Sequence, residues 1–303
     1  MSAEKYLTEV FDRAKKVPFD DSDKFILFSD CHRGDNSWAD EFTNNHNLFL
    51  YALQHYHSEG FTYIEVGDGD ELWENAFEDI RKAHNPVFRQ MMKFYDKNPE
   101  KNRLYLIWGN HDIERQGKKI VVKTLYGYDD RRTKKYELLF DGIEVYEGLI
   151  LKQPEREIFV VHGHQVDPAN YMWYSIPFWR VNRYFHRNLW KYAQLVGLRN
   201  PLSPTRRFNR IRKIDEKLTA WAKNNKRTLI AGHTHYYIAD PPYFNIGCCV
   251  YPHRITGIEI EKGHISLIEW STKINPKDRT LFAHKEVLSQ PYLVGPMTSI
   301  KKS

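Results

Sequence analysis

The chain has 303 residues, of which 41% are hydrophobic and 28% charged, a composition typical of folded globular proteins and unlike disordered or fibrous chains. No uncharged apolar run approaches the ~20 residues needed to cross a bilayer, and residues 1–17 lack the apolar core of a signal peptide. We therefore expect no transmembrane segment. Three cysteines cannot form a disulfide framework, so we expect a cytoplasmic protein, with peripheral membrane association left open.

Short apolar runs alternate with segments of helical periodicity, which predicts an α/β fold. Five runs are too short for buried helices, so we assign them as strands: 24–28, 61–66, 103–108, 157–161 and 227–231. Helices are predicted over 42–58 and 77–95. Two alternating segments around Lys262-Gly263 predict an antiparallel hairpin, so we expect mixed sheets. The tail, 276–303, has weak signals and is expected to be irregular or loose.

Residues able to bind a ligand follow each of the five predicted strands. Open α/β sheets bind ligands beyond the carboxyl ends of their strands, so we expect these residues to converge. Taken alone, each motif is also common in turns and helix caps, whereas five motifs at the same structural position indicate one site. The motifs are Asp30-Cys31-His32, Gly67-Asp68, Gly109-Asn110-His111-Asp112, His162-Gly163-His164 and Gly232-His233-Thr234-His235.

The side chains of these motifs form a donor set of oxygens and imidazole nitrogens without a thiolate. Such a set suits divalent Mn, Fe or Zn better than a structural cysteine-type zinc site. If one carboxylate is shared, the set would hold two divalent metal ions ~3.5 to 4 Å apart, as in two-metal phosphatases. The predicted reaction is hydrolysis of a P–O bond by a hydroxide that bridges the ions, with no covalent nucleophile.

The five motifs, in this order over residues 30–235, resemble those of the calcineurin-like metallophosphoesterase superfamily. This resemblance implies a four-layer sandwich of two mixed β-sheets flanked by helices. It implies a first metal bound by Asp30, His32 and His235, a second bound by Asn110, His162 and His233, and Asp68 as the bridge. It also implies that His111 is the catalytic histidine and that Asp112 orients its ring.

Within that superfamily, residues 67–73, Gly-Asp-Gly-Asp-Glu-Leu-Trp, resemble the Gly-Asp-x-x-Glu-x-Trp stretch of the UDP-diacylglucosamine hydrolases. The resemblance implies a pyrophosphatase acting on a nucleotide-diphosphate lipid or sugar, although the chain differs from those enzymes at residues 111 and 164. The alternatives within the enzyme class are a Ser/Thr-type protein phosphatase and a nuclease. A non-catalytic binding module is the alternative of another class. The presence of all seven ligands and His111 favours catalysis.

A basic, aromatic insert, 168–225, separates the two parts of the predicted catalytic domain, 1–167 and 226–275. Residues 171–227 contain 14 Lys or Arg against 2 acidic residues, and 8 of the 20 residues in 171–190 are aromatic. This segment therefore carries a net charge of +12, while the rest of the chain carries −6.

The insert has three interpretations. As a cap over a phosphorylated small-molecule or lipid-linked substrate, it would bind phosphate through Arg180, Arg183 and Arg187, with Arg33 and His164 as further substrate contacts. As a nucleic-acid surface, it would follow a backbone and stack bases. As a packed helical pair or dimer contact, its charge would face solvent or an acidic membrane surface. We favour the cap, with nucleic acid as a weaker alternative.

Overall fold

The computed structural model describes residues 3–130, 134–167 and 208–294. Their helices are α1 (Ala3–Arg13), α2 (His46–Ser58), α3 (Phe77–Ala83), α4 (Asn85–Met92), α5 (Lys118–Leu125) and α6 (Phe208–Asn224), with short 3-10 helices at Glu41–Asn45, Ile113–Gln116 and His164–Val166. Their strands are β1 (Lys15–Pro18), β2 (Lys24–Phe28), β3 (Thr62–Val66), β4 (Leu104–Ile107), β5 (Gly127–Asp130), β6 (Lys135–Leu138), β7 (Val145–Tyr146), β8 (Gly148–Lys152), β9 (Glu157–Val161), β10 (Thr228–Ala231), β11 (Tyr237–Asp240), β12 (Tyr243–Ile246), β13 (Arg254–Glu261), β14 (His264–Ile274), β15 (Leu281–Val287) and β16 (Tyr292–Leu293).

Most of these strands belong to two large mixed sheets. The six-stranded sheet has the order β1-β8-β9-β10-β12-β11, in which β9, β10 and β12 are parallel neighbours. The eight-stranded sheet has the order β15-β14-β13-β2-β3-β4-β7, with β16 beside β14. In this sheet β2, β3, β4 and β7 run parallel to one another. The pairs β2–β13, β13–β14 and β14–β15 are antiparallel. The strands β13 and β14 form the hairpin that the sequence predicted.

The two sheets pack face to face over a common apolar core. Side chains alternate between the faces of a strand, so Phe25 and Leu27 of β2 join this core while Ile26 and Phe28 point to the opposite face. There α2 and α4 cover the eight-stranded sheet, and α1 and α6 cover the outer face of the six-stranded sheet. The order helix, sheet, sheet, helix confirms the predicted four-layer fold class.

Two predicted elements differ from the observed ones. The helix expected over 77–95 is two helices, because the chain leaves helical geometry at His84. Pro86 lies in the first turn of α4, where a backbone N–H has no partner within the helix and its absence costs little. The tail expected to be irregular supplies β15 and β16, which pair with β14. Both faces of β15 are partly exposed, and its residues show little of the hydrophobic alternation by which a strand is predicted. The strand forms because its backbone pairs with β14.

The helix α6, which was predicted to belong to the insert, packs against the six-stranded sheet. Ile214, Leu218 and Trp221 are buried with residues of β8, β9 and β10. By its packing α6 belongs with the catalytic body, so we place the body-side boundary of the insert before Phe208. Residues 168–207, including the predicted phosphate contacts Arg180, Arg183 and Arg187, lie outside the described residues.

Within the described part of the chain, no helix combines the length and the apolar character that spanning a membrane requires.

Candidate metal centre

The predicted ligands lie in loops that follow five strands of the two sheets. The strands β2, β3 and β4 are parallel neighbours, so the loops carrying Asp30, Asp68 and Asn110 leave the same edge of the eight-stranded sheet. The strands β9 and β10 are parallel neighbours in the other sheet and carry His162 and His233. The two sheets pack face to face, and this packing brings the loops together. As a result Asp68, from one sheet, clusters with His162 and His233, from the other.

Five of the seven predicted ligands have a left-handed backbone conformation. The φ angles are 52° at Asp30, 47° at His32, 49° at Asp68, 72° at His233 and 63° at His235. Such values are uncommon outside glycine and cost about 1–3 kcal/mol each, so surrounding contacts must impose them. Backbone hydrogen bonds do so: His32 N donates to Asp68 O at 2.9 Å, and His233 N donates to Asp30 Oδ2 at 2.8 Å. Strain of this kind is concentrated at functional sites.

Two glycines allow the ligand loops to approach one another. A Cβ at Gly109 would collide with the carboxylate of Asp68, and a Cβ at Gly232 would collide with the side chains of Ser29 and Asp30. Each glycine therefore allows one loop to contact a carboxylate on the next. The Gly-Asn-His and Gly-His-Thr-His motifs thus have a structural reason to begin with glycine.

The first cluster of ligands contains Asp30, His32 and His235. His235 Nε2 lies 3.2 Å from Asp30 Oδ1 and 3.2 Å from His32 Nε2. All three donor atoms lie within 4.8 Å of one another, a separation that one bound cation can bridge.

The second cluster contains Asp68, His162 and His233. His162 Nε2 lies 3.2 Å from Asp68 Oδ2, and the rings of His162 and His233 have centroids 5.2 Å apart. His162 Nδ1 lies 2.9 Å from the carbonyl oxygen of Val66, which accepts a hydrogen bond from Nδ1–H, so Nε2 is the atom available to a metal. The same Asp68 oxygen lies 3.9 Å from His32 Nε2 of the first cluster.

Several buried polar atoms in this centre have no hydrogen-bond partner among the described residues. They are Asp30 Oδ1, Asn110 Oδ1 and His162 Nε2. Buried polar atoms are normally hydrogen bonded, so each exception requires an explanation. All three atoms belong to predicted ligands and carry lone pairs, so a bound cation would satisfy them. The donor set therefore fits a metal centre.

The electrostatics of the centre favour added positive charge. Burial opposes the imidazolium form of His162, but the carboxylates of Asp68 and Asp30 outweigh it and raise the pKa of His162 to about 9. Burial also opposes the charged form of His235, and Asp30 raises its pKa to about 10. The buried carboxylates thus favour protonation of these two imidazoles. Divalent cations would supply the same compensation while leaving the imidazoles neutral.

The ring of His111 is held by a residue to which the sequence analysis gave no role. Glu71 Oε2 lies 2.6 Å from His111 Nδ1 and 3.0 Å from His32 Nδ1. Burial opposes ionisation of Glu71, but the two imidazoles lower its pKa to about 2, so the carboxylate is charged. Trp73 stacks on His111 with ring centroids 3.9 Å apart. Glu71 and Trp73 belong to the Gly-Asp-x-x-Glu-x-Trp stretch, which was the signal available in the sequence.

The predicted role of Asp112 is wrong, because its carboxylate has other partners and Glu71 contacts the ring of His111. Asp112 accepts a hydrogen bond from Gly109 N at 2.6 Å and contacts the guanidinium of Arg115 at 3.3 Å. Its side chain therefore shapes the Gly-Asn-His-Asp turn, and Glu71 occupies the position at the imidazole that had been assigned to Asp112.

The predicted contact between Arg33 and substrate is also wrong. Arg33 is fully buried, and its guanidinium donates to both oxygens of Glu65 at 2.6 and 2.8 Å and to Asp70 at 2.6 Å. A side chain with these partners has no surface left for a phosphate. The motif Asp-x-His-Arg gave no indication that the arginine would point inward.

His164 is buried beside the second cluster. Its ring centroid lies 5.4 Å from that of His162 and 5.1 Å from that of Trp108. Burial, together with the nearby His162 and His233, holds its pKa well below the usual range, so the ring is neutral. The substrate contact that the sequence predicted for His164 stays a prediction.

A family model described as calcineurin-like phosphoesterase matches residues 23–237. The match covers more than half of the chain, so the chain belongs to this family and is a hydrolase of phosphate esters. Both statements confirm predictions made from the sequence. No curated protein matched the chain in a sequence comparison.

Several solved structures align with the chain at low similarity. Vacuolar protein sorting 29 from Cryptosporidium parvum is 13% identical, with a TM-score of 0.39 over 89% of this chain and 100% of that chain. A predicted phosphoesterase from Streptococcus pneumoniae is 12% identical, with a TM-score of 0.35 over 86% of this chain and 98% of that one. Vps29 from Entamoeba histolytica in complex with zinc is 13% identical, with a TM-score of 0.37 over 88% and 99% of the two chains.

Proposed function

We propose that the chain hydrolyses phosphate esters or pyrophosphates at a centre of two divalent metal ions. The observation that carries this proposal is the position of Asp68. One oxygen of its carboxylate lies 3.2 Å from His162 Nε2 in the second cluster and 3.9 Å from His32 Nε2 in the first. A carboxylate that reaches both clusters is the arrangement expected of a bridging ligand.

Asp30, His32 and His235 would hold one ion, Asn110, His162 and His233 the other, and Asp68 both. Two such ions would lower the pKa of a water molecule toward ~7 and neutralise the phosphoryl oxygens of the substrate. The unpartnered oxygens of Asp30 and Asn110 support these assignments. With only oxygen and imidazole donors in the clusters, Mn, Fe or Zn is the expected metal.

His111 would transfer a proton to the leaving oxygen. Its Nδ1 faces Glu71 at 2.6 Å, so Nε2 is the nitrogen free to carry the transferred proton. The stacked indole of Trp73 restricts rotation of the ring. His111 is also partly exposed, with 20% of its side chain accessible against 10% for His32, as contact with a substrate requires.

For the substrate, we propose a nucleotide-diphosphate lipid or sugar cleaved at its pyrophosphate. Support comes from the Gly-Asp-x-x-Glu-x-Trp stretch, in which Glu71 and Trp73 both contact His111. We further propose that residues 168–207 select the substrate. Replacing these residues by a short linker, with α6 kept, should spare hydrolysis of a small aryl phosphate ester and abolish the preference for large substrates. An unchanged preference would exclude a substrate-selecting cap.

A hydrolysis panel with bound metal measured in parallel tests the proposed activity. The purified chain, loaded with manganese, would be given an aryl phosphomonoester, a diester, a nucleotide-diphosphate sugar, a phosphopeptide and a single-stranded oligonucleotide. We expect two equivalents of metal by elemental analysis and fastest turnover of the nucleotide-diphosphate sugar. Preference for the phosphopeptide or the oligonucleotide would replace this substrate by a phosphoprotein or a nucleic acid. Two bound metals with no hydrolysis of any substrate would contradict the catalytic proposal.

A further inference from the structure

Asp167 is a buried carboxylate at the point where the chain leaves the catalytic body for the insert. It is only 2% exposed. Its Oδ2 atom lies 3.2 Å from Nε2 of His233, a predicted ligand of the second metal. The sequence analysis assigned no role to this residue, which follows the His-Gly-His motif by three positions.

Arg210 holds the carboxylate of Asp167 from the opposite side. Its Nη2 atom donates to Oδ2 at 2.6 Å and its Nε atom donates to Oδ1 at 3.2 Å. Such bidentate pairs fix both the position and the orientation of the carboxylate.

Arg210 itself comes from a rigid part of the molecule. It lies in the first turn of α6, whose residues Ile214, Leu218 and Trp221 are anchored in the core on the six-stranded sheet. A second contact joins α6 to the loop of His233, because Asp215 Oδ1 accepts hydrogen bonds from Thr234 Oγ1 at 3.3 Å and from Tyr243 Oη at 2.7 Å. The helix therefore provides a fixed support for this ligand loop.

We propose that Asp167 is a positioning residue for His233, held in place by Arg210. By accepting a hydrogen bond from Nε2–H, Asp167 selects the tautomer of His233 whose Nδ1 lone pair is available to a cation. Asp167 and Arg210 lie on either side of residues 168–207 in the sequence. The ion pair between them therefore links the chain on both sides of this segment to His233, a proposed ligand of the second metal. This inference rests on the proposed two-metal function.

Substitution of Asp167 in the full chain tests the role through metal binding. Apo protein prepared with a chelator would be titrated with Mn²⁺ by calorimetry, for the wild type, Asp167→Asn and Asp167→Ala. We expect one of the two equivalents to bind ~10- to 100-fold more weakly in Asp167→Ala, with the other unchanged and a smaller loss in Asp167→Asn. Activity lost at low Mn²⁺ should return at high Mn²⁺, because the catalytic groups remain.

Two further variants complete the test. Asp12→Asn removes an exposed carboxylate of α1 and should bind metal as the wild type does. Arg210→Met leaves the contact between Asp167 and His233 in place but removes its support, and should weaken the same equivalent even if Asp167→Ala does not fold. Unchanged Mn²⁺ affinity in the variants, or equal weakening of both equivalents, would overturn the positioning role. Failure of the wild type to bind two Mn²⁺ would instead refute the proposed function.

Discussion

Two groups of buried charge lie next to each other beyond β2, β3 and β4, and they differ in how fully they are paired. One is an ionic network in which Arg33 joins Glu65 and Asp70, and Arg115 joins Asp70 and Asp112. Among its side-chain atoms that are fully buried, only Arg115 Nε has no partner in the described residues. The other is the ligand cluster, where Asp30 Oδ1, Asn110 Oδ1 and His162 Nε2 have no hydrogen-bond partner in the described residues, although Asp30 Oδ1 and His162 Nε2 each lie 3.2 Å from another ligand.

This difference distinguishes charged residues that stabilise the fold by pairing with one another from residues that are available to bind metal. The residues of the ionic network lie in the ligand motifs or within three positions of them, and both groups are almost entirely buried. A buried ion pair with satisfied hydrogen bonds needs nothing further, whereas unpartnered lone pairs leave a cost that a ligand can remove. Substitutions in the ligand cluster should therefore change metal binding and turnover, and substitutions in the ionic network should change stability.

The largest effect is expected for Asp68→Ala. Since Asp68 reaches both clusters, its removal should abolish binding of both metals and nearly all hydrolysis, while the fold persists. Metal content by elemental analysis and hydrolysis of an aryl phosphate ester would be measured, with Asp12→Asn as the matched exposed carboxylate. Retention of two equivalents of metal would refute the shared role of Asp68.

His111→Ala should have the next largest effect. The variant loses the proton donor but none of the proposed ligands, so it should keep both metals and turn over ~10² to 10⁴ times more slowly. His264→Ala, at the hairpin turn between β13 and β14, is the control and should retain full activity. Loss of metal in the His111 variant would show that this histidine is a ligand.

Glu71→Gln should have a smaller effect that divides between two readouts. Its charge is removed from both His111 and His32, so turnover at saturating metal and the affinity of one metal should each fall by ~10- to 100-fold. Asp112→Asn is the matched variant, since that carboxylate does not contact His111. It should reduce stability while turnover per folded molecule stays nearly unchanged. The opposite pattern, with Asp112 controlling turnover, would restore the role predicted from the sequence.

Arg33→Met should have the smallest effect on hydrolysis and the largest on stability. It leaves the carboxylates of Glu65 and Asp70 buried and without this cation, which should reduce the free energy of unfolding by about 3–5 kcal/mol. Denaturant unfolding would measure this loss, and KM of the folded variant should not change. Arg254→Met removes a partly exposed pair with Glu269, whose atoms lie 3.8 Å apart, and should cost about 0–1 kcal/mol. A raised KM with normal stability would show that Arg33 meets substrate.

The ligand types and the α/β class could be predicted because they depend on local patterns, whereas the four-layer order was implied by the family resemblance. Apolar runs of strand length followed by Asp, Asn and His residues indicate where strands end and which donors follow them. Each of the five motifs follows an observed strand of one of the two sheets, as the sequence predicted. The family match over residues 23–237 agrees with the same pattern.

Other features depended on contacts between residues far apart in the chain. The carboxylate at His111 is Glu71, 40 residues away, and not the adjacent Asp112. The position of α6 in the catalytic body and the pairing of β15 likewise follow from packing against distant strands.

The sequence alone thus determined the donor atoms available at each strand end and the alternation of strands and helices, because both are encoded within a few neighbouring residues. Only the tertiary structure decided which charges are paired and which face the metal centre. In the ligand loops the backbone takes left-handed conformations at Asp30, Asp68 and His233, so side-chain directions do not follow the regular alternation of a strand. Those directions are imposed by hydrogen bonds between loops. Some join loops of one sheet, as from His32 N to Asp68 O, while others, as from His233 N to Asp30 Oδ2, exist only after the two sheets have packed together.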